Sequence, residues 1–431
     1  MSKTVAEPTG TRLESLDFIR GCALFGILIM NIVGMGMGPA YDNPTVMGGD
    51  TGINLWTWYV VNVGFEGTQR GLFSILFGAG VILFTSRPDS TDAYFRRNLW
   101  LIAFGLFNAW VLLWGGDILY FYGLTALFLF AFRNLPGKKL LGLGVASFVL
   151  GAAWSGLETY NMLNLHERAA AAETVPVAQR NEEQKSAIEK WKEQSRGGPS
   201  PEMVARLKRE NQGGYVSALV VRAPRISQAQ SWDAYRYFFD IFGMMMIGMA
   251  LFKLGVLTLE AKTRTYFAMM VGGYAIGMPL NIYEANWLMS HGFSGLARHQ
   301  AEITYDFARL AQTTGHLGLL GLFLKSGIFA SFRHAMAAVG RMALTNYLTH
   351  SVVALIIFVL LGYWGALERH QLYYIVFSIW AVQIVISPIW LKHFHFGPVE
   401  WLWRYLTYGK QPRFRREAPV SGAQPLPAGS G

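Results

Sequence analysis

The chain has 431 residues, of which 52% are hydrophobic and only 15% charged, and its formal net charge is +10. A soluble domain carries about 25% charged residues, so the polar surface is too small to cover a water-soluble globule of this length. A positive charge of this size would point to nucleic acid in a soluble protein. Here Lys and Arg gather in loops between apolar runs, as membrane topology requires, and nucleic acid is not an expected partner.

The first apolar run, 18–38, carries Asp17 and Arg20 at its head and is followed by no small-x-small cleavage site, so it reads as a retained anchor. Cys22 lies inside it as the only cysteine, which excludes an internal disulfide and a cysteine-based metal cage. Further runs of crossing length lie at 69–86, 98–114, 117–133, 139–157, 236–257, 265–283, 304–325, 342–362 and 371–391. A hydrocarbon layer of roughly 30 Å needs about 20 such residues per helix. The segment 53–63, with Trp56 and Trp58, reads as an interfacial or re-entrant piece; a crossing of its own would change the count.

Loop charges orient these runs. Arg87, Arg96 and Arg97; Arg133, Lys138 and Lys139; Lys253, Lys262 and Arg264; and Lys325, Arg333 and Arg341 fall on one set of connections, whereas 39–52 and 114–117 carry no basic residue. The positive-inside rule then predicts an all-α polytopic transmembrane helix bundle of about ten spans, with both termini in the cytoplasm of a bacterial inner membrane. Four regions follow: a membrane half at 1–157, an extracytoplasmic polar insertion at 158–233, a second membrane half at 234–408 and a tail at 409–431. In the insertion, 177–196 favours helix by composition. A second helix starts at Ser200-Pro201-Glu202 and stops at Gly213-Gly214. The tail opens with Lys410, Arg413, Arg415 and Arg416, suited to anionic headgroups, and its Pro/Gly/Ala-rich end reads as disordered.

Ionisable groups within spans are rare and mark cavities or pairs. Asp17 and Arg20, three apart, share a helix face and can pair. Asn31 returns to that face about 16 Å deeper, which makes a polar groove; the plainer account is a topological anchor with a packing Asn. Glu66 and Arg70, four apart before the glycine-rich run Gly71–Gly80, read as a cavity rim or a simple pair. Asp117 opens a span and suits a helix N-terminus. Asp233, Arg236 and Asp240 share a face and pair among themselves. His316 lies near the middle of one span, and His350 lies at i+4 from Asn346 in the next. Each is a candidate base, and for either one alone a packing His is the commoner case. Arg341 and a Glu400–Arg404 pair sit at the cytoplasmic interface, as anion ligands or as snorkelling anchors. No P-loop, nucleophile elbow, His-Glu-x-x-His or Cys/His metal spacing occurs, so no metal site is expected.

The run Arg12-Leu13-Glu14-Ser15-Leu16-Asp17-Phe18-Ile19-Arg20-Gly21 resembles the opening of the YeiB family of bacterial membrane proteins. The resemblance continues through Phe65-Glu66-Gly67, Gly71–Gly78 and Gly116-Asp117-Ile118-Leu119, and resumes at Gly340–Tyr347 and Gly397–Arg404; the insertion is the least similar part. The Leu-Asp-x-x-Arg-Gly opening is also similar to that of transmembrane acyltransferases, which pass an acyl group from a cytoplasmic thioester to an acceptor across the membrane. That likeness implies no permanently bound cofactor, with acyl-CoA as co-substrate and an extracytoplasmic small molecule or glycan as acceptor. Membrane lipids are further partners, and self-association is left open. Asp17, Arg20, Glu66, Arg70, Asp117, Arg341 and Asn346 are then candidates for substrate or donor binding. Among those acyltransferases, the lysosomal glucosaminide acetyltransferase uses an Asn late in this helix and a His shortly after it. Asn31 matches the first, but no His occurs in 32–53, so the resemblance leaves the base to His316 or His350. Two other readings stand beside the enzyme: a transporter or export channel for a small solute, and a partner protein that presents the insertion.

Overall fold

A computed structural model describes residues 13–416, with the side chains of 232–237 outside that description. Arg12, the side chains of Asp233 and Arg236, and the end of the tail (417–431) expected to be disordered therefore lie outside the described residues.

Every regular element among the described residues is helical, and one isolated β-bridge joins Phe394 to Arg415. In chain order the α-helices are α1 (Glu14–Met37), α2 (Gly52–Phe65), α3 (Thr68–Thr85), α4 (Thr91–Trp110), α5 (Leu119–Leu129), α6 (Gly137–Glu173), α7 (Glu182–Gln194) and α8 (Pro201–Gln212). They continue with α9 (Tyr215–Gln230), α10 (Trp232–Lys253), α11 (Thr263–Ser290), α12 (Gly295–Ser326), α13 (Ala330–Arg341), α14 (Ala343–Ala354), α15 (Arg369–His393) and α16 (Pro398–Tyr408). Five stretches are long and apolar enough to cross a membrane: Glu14–Ala40, Gly52–Thr85, Gly137–Glu173, Ala343–Leu360 and Arg369–His393. On α15 the exposed side chains include Phe377, Val382, Val385, Ile386 and Ile389. An outer surface this apolar suits hydrocarbon better than water.

The buried core runs from α1 across α3, α5, α10, α14 and α15, with Leu24, Leu28, Leu72, Met245 and Val376 among its enclosed residues. At one end of the bundle the basic connections meet. Ser15 Oγ donates to Leu257 O at 3.1 Å, and Lys253 Nζ donates to the carbonyls of Arg133 and Leu135 at 2.6 and 2.7 Å. We call this the basic end.

The insertion docks at the opposite end. Asn43 Nδ2 donates to Gly197 O at 2.9 Å, Gln212 Nε2 to Trp364 O at 2.8 Å, and Trp110 Nε1 to Gln230 Oε1 at 2.8 Å. The sequence signals for its helices act as read. Ser200 Oγ accepts from Met203 N at 3.3 Å to start α8, which ends against Gly214 at φ +87°. Asn181 and Gln184 form a capping box on α7.

The apolar run 139–157 does not end its helix at 157. α6 continues to Glu173 over 37 residues, about 55 Å at 1.5 Å per residue, so span and insertion share one rod. The 53–63 piece is a helix of 14 residues, α2, about 21 Å long and short of a hydrocarbon layer by itself. It is separated from α3 by Glu66 and by Gly67 at φ +70°, a left-handed position where glycine is the easy residue. The carbonyls left open at the end of α2 are met from α11 and α12. Gln312 Nε2 donates to Val63 O and Gly64 O at 2.9 and 3.0 Å, and Asn281 Nδ2 donates to Val63 O at 3.3 Å.

Candidate functional site

Two glycines set the geometry of the basic end. A Cβ on Gly21 would stand 2.2 Å from Met336 O, and one on Gly340 would stand 1.8 Å from Asp17 O. Without side chains there, α1 and α13 touch backbone to backbone. The neighbours of these glycines, Arg20 and Arg341, are thereby delivered to the same opening. Arg20 Nη1 donates to Asp17 Oδ1 at 2.9 Å, the i,i+3 pair expected from the sequence.

The opening leads into a chamber of about 200 Å3. Four arginines stand in its lining, Arg20, Arg97, Arg341 and Arg404, from α1, α4, α13 and α16. Arg97 lies within the electrostatic reach of Arg404, Arg20 and Arg87. Its guanidinium stacks 3.6 Å from the Trp403 ring, and Trp403 Nε1 donates to Arg97 O at 2.9 Å, so α16 is pinned over the mouth. The walls are apolar and aromatic, with Phe73, Phe77 and Phe84 from α3, Tyr94 from α4 and Tyr122 from α5. Tyr122 closes one side: its hydroxyl donates to Arg70 O at 3.0 Å and shares a 2.7 Å bond with Ser74 Oγ.

Glu400 lines the chamber but does not serve chiefly as the partner of Arg404. It accepts from Leu344 N at 2.7 Å, Thr345 N at 3.0 Å and Thr345 Oγ1 at 2.5 Å, which caps the start of α14. Arg404 instead lies over the Phe396 ring at 4.3 Å.

The deep end of the chamber is Tyr347, and behind it lies Asp117, only 2% exposed. Asp117 Oδ2 accepts from Tyr120 N at 2.9 Å, the helix-start role read from the sequence. Its other oxygen accepts from Asn108 Nδ2 at 2.7 Å and faces the Tyr347 hydroxyl at 3.4 Å.

The other candidates fall elsewhere. Asn31 is half-buried and is not part of the chamber lining, so the stripe from Arg20 to Asn31 does not form one groove there. His316 bonds Tyr274 Oη through Nδ1 at 2.9 Å and Gly64 O through Nε2 at 3.2 Å, which makes it part of the cap on α2. His350 joins Gln383 Oε1 at 3.1 Å, and Gln383 Nε2 donates to Asn346 O at 3.2 Å. Asn346 Nδ2 donates to Ser387 Oγ at 3.2 Å. These four residues tie α14 to α15, away from the chamber lining.

Glu66 and Arg70 do not pair with each other. Glu66 accepts from the hydroxyls of Tyr41 and Tyr305 at 3.1 and 2.9 Å, while Arg70 Nη2 meets Asp240 at 2.5 Å. The i,i+4 geometry assumed one continuous helix, and the break at Gly67 removes it. Beside this break Arg309 is ion-paired with Glu284 and donates to Asn281 Oδ1 at 2.6 Å. Arg97, Tyr122 and Trp403 carry no motif in the sequence that marks them as site residues. The one local signal was a basic residue at the head of an apolar run, which topology alone also explains.

The family described as "Protein of unknown function (DUF418)" matches residues 251–410. The protein YeiB of Escherichia coli K12 is 30% identical over 403 residues, covering 92% of this chain and 96% of the relative. YxaH of Bacillus subtilis 168 is 26% identical over 436 residues, covering 95% of this chain and 97% of the relative. A 39.9 kDa protein encoded 3' of an amylase in Bacillus acidopullulyticus is 23% identical, with 93% and 95% covered. No solved structure matches the chain. With a helical, membrane-type fold and identity at this level over nearly the whole length of both chains, the protein belongs to the YeiB family.

Proposed function

We propose that the chain is a multi-pass inner-membrane protein of about ten spans with both termini in the cytoplasm and the insertion outside. In this reading it transfers an acyl group from acyl-CoA, bound at the basic end, to an acceptor reached from the other side. The observation that carries the donor site is the convergence of Arg20, Arg97, Arg341 and Arg404 on an aromatic chamber. Guanidinium groups suit phosphate through paired, charge-assisted hydrogen bonds, and apolar walls suit a chain. The lining sets the division of labour: beyond the arginines, the rings of Phe73, Phe77 and Phe84 suit an acyl chain and not a charged nucleotide. The phosphates would stay at the arginines and the thioester would enter the chamber. The gathering of the basic loops at one end supports the proposed orientation.

The test is direct. Purified protein should bind acetyl-CoA, and Arg97→Gln should weaken binding roughly tenfold or more, since a hydrogen bond to a charged group contributes ~1.5–3 kcal/mol. Absence of any binding by the wild type would overturn the donor site.

A second reading, transport of a small solute, is favoured by the broken α2–α3 crossing with its Arg70–Asp240 and Arg309–Glu284 pairs. Discontinuous helices beside ionisable groups are how transporters build solute sites. Solute accumulation in vesicles without covalent change would select it over the enzyme.

A further inference from the structure

We infer that Tyr347, backed by Asp117 and Asn108, is the proton-handling centre at the deep end of the chamber, and that the loop 111–118 is where the two sides of the protein meet. The inference rests on the acyl-transfer reading and names the residues that would carry its chemistry.

The geometry has three parts. Tyr347 belongs to the chamber wall, and its hydroxyl accepts from Ile118 N at 3.3 Å on the side where Ile118 and Leu119 complete that wall. Asp117 is buried and faces that hydroxyl with Oδ1, which Asn108 Nδ2 holds from behind at 2.7 Å. Asn108 itself is fully enclosed, so this carboxylate oxygen is fixed by a group that cannot move into water. A reacting hydroxyl, a carboxylate and an orienting amide in sequence form the arrangement general acid–base catalysis needs. The 3.4 Å separation is long for a hydrogen bond, as such contacts often are before substrate binds.

Asp117 closes the loop after α4, and that loop is held by the insertion from the end opposite the arginines. Tyr215 Oη donates to Val111 O at 2.9 Å, and Arg222 Nη1 donates to Leu113 O at 3.0 Å. Leu113 has φ +58°, a left-handed conformation costly for a branched side chain, so it needs such support. Leu113, Ala218 and Val359 are packed together, and Ile226 abuts Gly115. The insertion thus braces a loop whose last residues touch the donor chamber. An acceptor arriving along that loop would meet a thioester arriving from the arginines.

The step balances without a co-reactant. The acceptor hydroxyl or amine adds to the thioester carbonyl, forming the new C–O or C–N bond and breaking C–S. The acceptor's proton goes to the Tyr347 oxygen as the Tyr347 proton passes to Asp117. It then returns by the same route to the departing thiolate, which leaves as free thiol. Tyr347 would be the catalytic residue and Asp117 a positioning residue acting through it.

One substitution separates this role from helix capping. Asn caps a helix start about as well as Asp, so Asp117→Asn should be silent if capping is all that Asp117 does. The experiment measures thiol release from acetyl-CoA in native membrane vesicles carrying the protein, which supply their own acceptors, with vesicles lacking it as background. Asp117→Asn and Tyr347→Phe are each expected to lower kcat about 100-fold or more, with the KM for acetyl-CoA within about threefold of wild type, and Asp117→Glu to recover part of the rate. Variant rates within twofold of wild type, or a raised KM at unchanged kcat, would overturn the inference and leave the donor site standing. No release by wild type above background would overturn the acyl-transfer reading itself. Should Asp117→Asn fail to fold, Tyr347→Phe, which removes a single oxygen, decides.

Discussion

An ideal Cβ on Gly340 would lie 1.8 Å from Asp17 O and 2.8 Å from Gly21 N, and both are backbone atoms that cannot swing aside. Placing Val there forces α13 away from α1, at a cost of at least ~1–3 kcal/mol for an overpacked contact. The same displacement separates Arg341 from Arg20. Gly340→Val is therefore expected to lower the melting temperature and to weaken acetyl-CoA binding together. Gly142 supplies the control, because a Cβ there meets nothing within 4 Å. Gly142→Ala should leave binding unchanged and stabilise α6 slightly, by up to ~1 kcal/mol of helix propensity. Equal loss in both variants would show that the cost is general to glycine replacement and has nothing to do with the α1–α13 approach.

Among the elements, the insertion divides into parts with different duties. α7 is capped by its own Asn181–Gln184 box and gives no hydrogen bond to the loop 111–118 among those described. Asn181→Ala should cost about 1 kcal/mol, visible as faster hydrogen exchange in α7, with acyl transfer unchanged. α9 carries Tyr215 and Arg222, which hold Val111 and Leu113. Arg222→Ala should speed exchange in 111–118 and lower turnover while acetyl-CoA binding stays as it was. A normal turnover in Arg222→Ala would show that the insertion is a roof and no more.

The caps were legible in the sequence because a cap is local: Ser200-Pro201 and the paired glycines at 213–214 act within one turn. So were the apolar runs, all of which fall largely on helices, and the Asp17–Arg20 pair, which needs only helical spacing. Of the chamber's arginines, Arg20, Arg341 and Arg404 were legible as interfacial anion ligands, but Arg97 and the aromatic walls were not, because they join them only through packing. The same limit hid the partners of Glu66 and Arg70, since spacing assumes an unbroken helix and Gly67 interrupts it. His316 and His350 stand out as rare imidazoles in apolar runs, but spacing along the chain does not say what a ring nitrogen will touch.

At the scale of the whole molecule, the position of the four-arginine chamber decides which ligands can reach it. Acyl-CoA is a cytoplasmic metabolite in the proposed reading, so the basic end has to face inward, and the insertion, docked at the other end through Asn43, Gln212 and Trp110, has to face outward. Cysteine accessibility tests this without reference to activity. In a Cys22→Ala background, single cysteines replace four exposed residues: Asp50 and Glu189 at the insertion's end, Asp89 and Lys262 at the basic end. A membrane-impermeant maleimide applied to intact cells is expected to label Asp50→Cys and Glu189→Cys at once, and Asp89→Cys and Lys262→Cys only after permeabilisation. Labelling of Asp50→Cys and Asp89→Cys from the same side would mean that Gly52–Thr85 does not cross, and the span count would fall. A full reversal would place the arginines outside, where no acyl-CoA is available. The chamber would then have to serve an anionic amphiphile of the outer face, and the direction of any transfer through Tyr347 would reverse with it.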